Sequence, residues 1–96
     1  MKRDDILSIL RTFKQNSAAE YDIKRIGIFG SFARGEASED SDVDIVFETD
    51  SPNLFRTVRM KADLEQLLSR HVDMVRFRSN MNPRLRSRIA REAKYV

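Results

Sequence analysis

Residues 26–47 read IGIFGSFARGEASEDSDVDIVF, from Ile26 to Phe47. An apolar run stops at Gly30-Ser31. Ten residues separate Ser31 from Asp42, and Asp44 follows two further on. Short β-branched runs ended by glycine suit a buried strand, which places one over residues 24–29. Gly30 lets the chain turn sharply and lets a ligand approach the backbone. Ser31 offers a hydroxyl and a backbone N–H at the start of a short helix, a position that favours an anionic phosphate. Arg34 can add a charge-assisted contact to the same phosphates. An ordinary strand–turn–helix corner reads the same way, because short glycine motifs discriminate weakly.

The far end of the stretch, SDVDIVF, adds a second signal. Side chains two apart on a strand share a face, so Asp42 and Asp44 point one way and Val43, Ile45 and Phe47 the other. Paired like charges repel, and aspartate is a poor strand former. A cation between them removes the repulsion, and Mg²⁺ commonly takes one or two carboxylates plus substrate phosphates. A solvent-facing edge strand is the plain alternative, and the pair alone leaves both open. Residues 72–77, VDMVRF, read as a further strand with Asp73, Val75 and Phe77 on one face. If this strand lies beside that of Asp42, Asp73 joins the pair. Three such carboxylates can hold two metal ions that clamp the attacking and leaving oxygens of an in-line displacement. The third can instead accept the proton of an attacking hydroxyl.

Gly30-Ser31, the ten-residue gap, Asp42-Val43-Asp44 and Val72-Asp73 together resemble the DNA polymerase beta-like nucleotidyltransferase superfamily, and within it the minimal, single-domain branch. That branch includes MNT-type antitoxins, which pair with HEPN toxins. The resemblance runs from about Ile26 to the C-terminus. It implies that Gly30, Ser31 and their turn hold the triphosphate of ATP, with Arg34 nearby. It implies that Asp42, Asp44 and Asp73 hold Mg²⁺. It also implies a HEPN-type toxin as partner in a hetero-oligomer, with a tyrosine hydroxyl as the acceptor of AMP.

Composition bounds the rest. Ninety-six residues make one domain, 1–96, able to bury a core. Apolar residues are 41% and charged residues 34%, the balance of a globular chain. The absence of cysteine excludes disulfides and thiolate zinc sites, and a single histidine argues against zinc altogether. No apolar run reaches the roughly 20 residues that span a bilayer. MKRDDILSIL has acids directly after its basic pair and does not read as a signal peptide, so the cytoplasm is the expected compartment. The net charge of +3 hides a division. Glu36 to Asp50 holds seven acids and no base, whereas residues 78–96 carry six bases and one acid. Such a tail is a solvated helix face or a contact for an acidic partner or nucleic acid.

Along the chain, Asp4 or Asp5 is expected to cap a helix reaching about Gln15, with Ile6, Ile9, Leu10 and Phe13 as its core stripe. Residues 17–22 form a connection of helical or loop character. After strand one, a short helix or turn (31–34) and strand two (42–48), Asp50-Ser51-Pro52 reads as the start of a long helix running to about Ser69. Its candidate core positions are Phe55, Val58, Ala62, Leu64, Leu67 and Leu68. His71 is expected at the surface. Asn82-Pro83 opens a last helix that buries Leu85, Ile89 and Ala93 and leaves Arg84, Arg86, Arg88 and Arg91 mostly outside. The fold class is α/β (α+β): order α-β-α-β-α-β-α, a small mixed sheet covered mainly on one face by helices. Strands two and three, joined by the long helix, are expected to be parallel.

The leading functional reading is Mg²⁺-dependent transfer of a nucleoside monophosphate to a hydroxyl. A binding module that neutralises its partner by contact is the alternative. Nucleic-acid binding through the arginine-rich tail ranks last, because the tail has no interleaved aromatic residues.

Overall fold

The computed structural model describes residues 1–96. Its centre is β1, Arg25–Phe29, in which every residue after Arg25 is buried. β1 pairs antiparallel with β2, Val43–Glu48, and β2 pairs parallel with β3, Val72–Arg76. A two-residue strand, β4, Lys94–Tyr95, adds antiparallel to the other side of β1. The sheet order is β3-β2-β1-β4. The mixed sheet and the parallel β2–β3 pair agree with the sequence reading. β4 extends it, since two residues carry no periodicity to detect.

Register decides what each face carries. Phe29 stands opposite Asp44, and Asp44 opposite Asp73. These three share one face, while Ile26, Ile28, Val43, Ile45, Phe47 and Val72 belong to the large core on the other. That core is closed by α1, Arg3–Tyr21, and α3, Leu54–Leu68, with Phe32 and Ala33 from the short α2, Gly30–Arg34. The carboxylate face is covered in part by α4, Pro83–Glu92, through a smaller cluster of Phe29, Val46, Met81 and Ile89.

Two helices differ from expectation. α1 continues through Ser17–Tyr21 rather than stopping near Gln15. Tyr21 explains the extension: it is buried, stacks on Phe13 with ring centroids 5.9 Å apart, and donates its hydroxyl to Asp63 on α3. Tertiary packing overrides the weak local signal for a helix end near Gln15. Asp4 and Asp5 lie inside the first turn, where Asp5 accepts the Lys2 N–H at 2.9 Å.

α3 starts at Leu54 instead of at Pro52, because Asn53 accepts the Arg56 N–H at 3.1 Å and serves as the N-cap. Its buried stripe is Met60, Leu64 and Leu68, spaced by four. Phe55, Val58, Ala62 and Leu67, expected in the core, are exposed; Phe55 is 80% exposed. The helix holds two apolar stripes, and the sheet has room for one. The α4 reading holds: Asn82 accepts from the Arg84 and Leu85 N–H groups at 2.9 and 3.1 Å, Ile89 is fully buried, and Leu85 and Ala93 pack beside it. No helix is long and apolar enough to cross a membrane.

Candidate active site

β1 delivers the chain to Gly30, where φ is +74°, a conformation open to glycine at little cost. A side chain here is excluded on a second ground. A Cβ on Gly30 would overlap the Asp44 carboxylate and lie 3.4 Å from Nη2 of Arg88. The turn and the second aspartate of Asp42-x-Asp44 are therefore in direct contact. The strand pairing causes this, because Asp44 is the register partner of Phe29, the residue before the turn.

Asp73 lies beside Asp44 on the adjacent strand, as the sequence reading requires. Asp42 stands just before β2 and is exposed, as is Asp73, while Asp44 is half-buried. Burial pushes the Asp44 carboxyl above its usual range, and the charges of Asp73 and Asp42 push it further. The Arg88 and Arg34 guanidiniums pull it back. This is a field that a cation would relieve. No group of three or more acidic or histidine side chains closes into a metal cage. The donor set suits a cation that takes two carboxylates and completes its shell with water or substrate oxygens, the habit of Mg²⁺.

Arg34 is held by two acids. Its Nε lies 3.1 Å from Glu36 and its Nη1 3.0 Å from Glu92. Glu92 is the one acid of the basic tail, and it sits at the centre of the turn. Its Oε2 accepts the Gly30 N–H at 3.1 Å and lies 3.3 Å from Nε of Arg88. Burial alone would raise the Glu92 carboxyl. The Gly30 N–H and the two guanidiniums more than offset this and hold it below the usual range. Arg88 and Glu92 are absent from the sequence-derived site. A solvent face had been expected for Arg88, yet it is half-buried with its guanidinium 5.6 Å from the ring centroid of Phe29. The available signal was their i,i+4 spacing at the one acid in a run of bases.

One other expectation resolves simply. His71 is exposed, with Nδ1 3.3 Å from Glu65. The largest hollow, about 460 Å³ between α1 and α3, is remote from the carboxylates and is lined by residues such as Ile9, Phe13 and Leu67. Asp42 lines a cleft of about 390 Å³ shared with Arg70 and His71. On the face of Asp44 and Asp73, α4 leaves Asp73 exposed and Asp44 half-buried.

Comparison with known proteins accords with this geometry. The nucleotidyltransferase domain profile matches residues 6–96. The protein adenylyltransferase MntA of Thermococcus cleftensis is 37% identical over 94 residues, covering 97% of this chain and 94% of the relative. A solved structure described as a minimal nucleotidyltransferase superposes with a TM-score of 0.78 at 37% identity, covering 98% of this chain and 95% of that one. A chain from the complex of tri-AMPylated Shewanella oneidensis HEPN toxin with MNT antitoxin shares the fold at a TM-score of 0.59. It is 18% identical and is covered over 70% of its length by 88% of this chain.

Proposed function

We propose that this chain, which belongs to the nucleotidyltransferase domain family in its minimal, MntA-type branch, transfers AMP from ATP to a hydroxyl of a partner protein. The partner best supported is a HEPN-type toxin, silenced by the modification. The likeness to the T. cleftensis adenylyltransferase and the AMPylated toxin in the S. oneidensis complex support this assignment. The observation that carries it is the contact between Gly30 and Asp44, which joins a phosphate-holding turn to a carboxylate pair.

In the reaction, the triphosphate lies along the Gly30–Ser31 turn, and the acceptor oxygen attacks the α-phosphorus. A new P–O bond forms to the acceptor, the bond from the α-phosphorus to the bridging oxygen breaks, and pyrophosphate leaves. Asp73, exposed on β3, would take the acceptor's proton. Asp42, Asp44 and Asp73 are the residues that would hold Mg²⁺, as one or two ions. When bound, Mg²⁺ supplies charge neutralisation of the phosphates and of the leaving group. The chain's own contribution is positioning: the turn orients the triphosphate, and strand register fixes the carboxylates against it.

The acceptor has to bind on the face of Asp44 and Asp73. A partner protein that docks there supplies the missing wall and excludes water. A tyrosine as the acceptor fits, because its long planar side chain can reach into a shallow site.

The decisive test is the intact mass of the protein encoded beside this one, after incubation with this chain, ATP and Mg²⁺. Gain of AMP units is expected, and their loss in the Asp42→Ala, Asp44→Ala protein. A stable complex that forms without any gain in mass would favour neutralisation by contact alone.

A further inference from the structure

α4 brings a cation to the turn. Among its arginines, Arg84, Arg86 and Arg91 are exposed, and Arg88 is drawn inward over Phe29. Nε of Arg88 faces Glu92 at 3.3 Å. A guanidinium is flat and rigid, so fixing Nε fixes the direction of the two terminal nitrogens. Nη2 lies at Gly30, 3.4 Å from the position its Cβ would take. The absence of a side chain at Gly30 keeps that edge of Arg88 open.

Charge separates the two candidate arginines. Arg34 is shared between Glu36 and Glu92, whereas Arg88 has Glu92 alone. One Glu92 carboxylate thus faces two guanidiniums. Arg88 has fewer ion-pair partners of the two. It also lies close enough to Asp44 to lower the charge penalty there. A polyphosphate entering beside three aspartates is repelled unless cations face it. Guanidinium–phosphate pairs are among the strongest hydrogen bonds that proteins make.

We propose that Arg88 is a polyphosphate-binding residue of this site and that Glu92 positions it. The proposal rests on the reading that the Gly30–Ser31 turn takes the triphosphate of ATP. Arg88 contacts phosphate oxygens through its terminal nitrogens. Glu92 touches no substrate; it ties α4 to the Gly30 N–H and aims both guanidiniums.

The test is calorimetric titration with ATP and, separately, with inorganic tripolyphosphate, in Mg²⁺, for the wild type, Arg88→Gln, Arg88→Lys and Glu92→Gln. Arg88→Gln is expected to weaken both ligands by about tenfold or more, the size of one lost charge-assisted bond. Arg88→Lys recovers part of the loss for both. Glu92→Gln, which still accepts the Gly30 N–H, weakens both by less than Arg88→Gln. Thermal melts accompany each variant, and if Arg88→Gln does not fold, Arg88→Lys is read by itself against the wild type. Affinities within roughly twofold of the wild type overturn the proposal. So does a loss confined to ATP, which would place Arg88 on the nucleoside. A wild-type protein that binds neither ligand overturns the functional reading beneath it, an outcome distinct from the other two.

Discussion

The Asp44 carboxylate lies so close to Gly30 that a methyl group on Gly30 would overlap it. Gly35, at a nearly identical φ of +73°, has nothing within 4 Å of its Cβ position. The two glycines therefore separate backbone strain from site geometry. Gly35→Ala is expected to cost about 1–2 kcal/mol of stability, the left-handed penalty, and to keep AMP transfer. Gly30→Ala pays the same penalty and also displaces Asp44, so transfer should fall by about a hundredfold or more. Urea melts and a transfer assay on both proteins check this pair. Equal activity in the two would refute the importance of the contact.

Asp44→Asn tests the electrostatics. The folded-state carboxyl of Asp44 is raised by burial and by Asp73 and Asp42. A raised carboxyl favours the fold below the unfolded-state value of 3.8, and that contribution is lost as pH rises through the folded value. At neutral pH the ionised Asp44 therefore penalises folding. Asp44→Asn should melt higher than the wild type at pH 7, with the gap closing in acid, while transfer is abolished. A lower melting temperature at pH 7 would contradict this origin of the shift.

The two apolar stripes of α3 predict opposite costs. Leu64 is fully buried, and Leu64→Ala should lose about 2–5 kcal/mol. Phe55 is 80% exposed, and Phe55→Ser should change stability by no more than about 0.5 kcal/mol. Chemical denaturation of the two variants measures both. A large loss for Phe55→Ser in the isolated chain would show that its ring has a partner within the fold.

Tyr21 should ionise late. Burial, with the hydrogen bond to Asp63, pushes its phenol up to about 12 from 10.0. A raised folded value means that the stabilisation is complete below pH 10.0 and fades as pH rises through about 12. Phenolate absorbance should show a component near that pH, missing from Tyr21→Phe. Loss of the hydrogen bond in that variant should cost about 0.5–1.5 kcal/mol.

Strand identity, the parallel β2–β3 pair and the turn–carboxylate spacing were legible in the sequence, because each rests on local chemistry. Glycine marks the turn, alternation sets the faces, and a helical connection forces β2 and β3 parallel. The missed features depend on distant partners. α1 runs on to Tyr21 because Phe13 and Asp63 receive that residue. Phe55 and Val58 are outside because Met60, Leu64 and Leu68 already fill the sheet side of α3. β4 left one trace, Gly27, whose added Cβ would lie 2.8 Å from the Tyr95 Cα. A lone glycine within a strand marks close backbone approach. Arg88 and Glu92 read as a solvated helix face, since nothing in α4 itself says which turn of the chain it will cover.

The hydrogen bond from Gly30 to Glu92 spans 62 positions, and β1, the first strand made, is edged by the last. Chains are synthesised from the N-terminus, and domains fold as units. Arg34, the Gly30 turn and all three aspartates leave the ribosome before α4 and β4 do. A nascent chain thus carries its aspartates while the turn still lacks its clasp. On the proposed reading the grip on nucleotide is complete only once α4 has been made, so products cut short before Arg88 would be inert toward ATP rather than partly active.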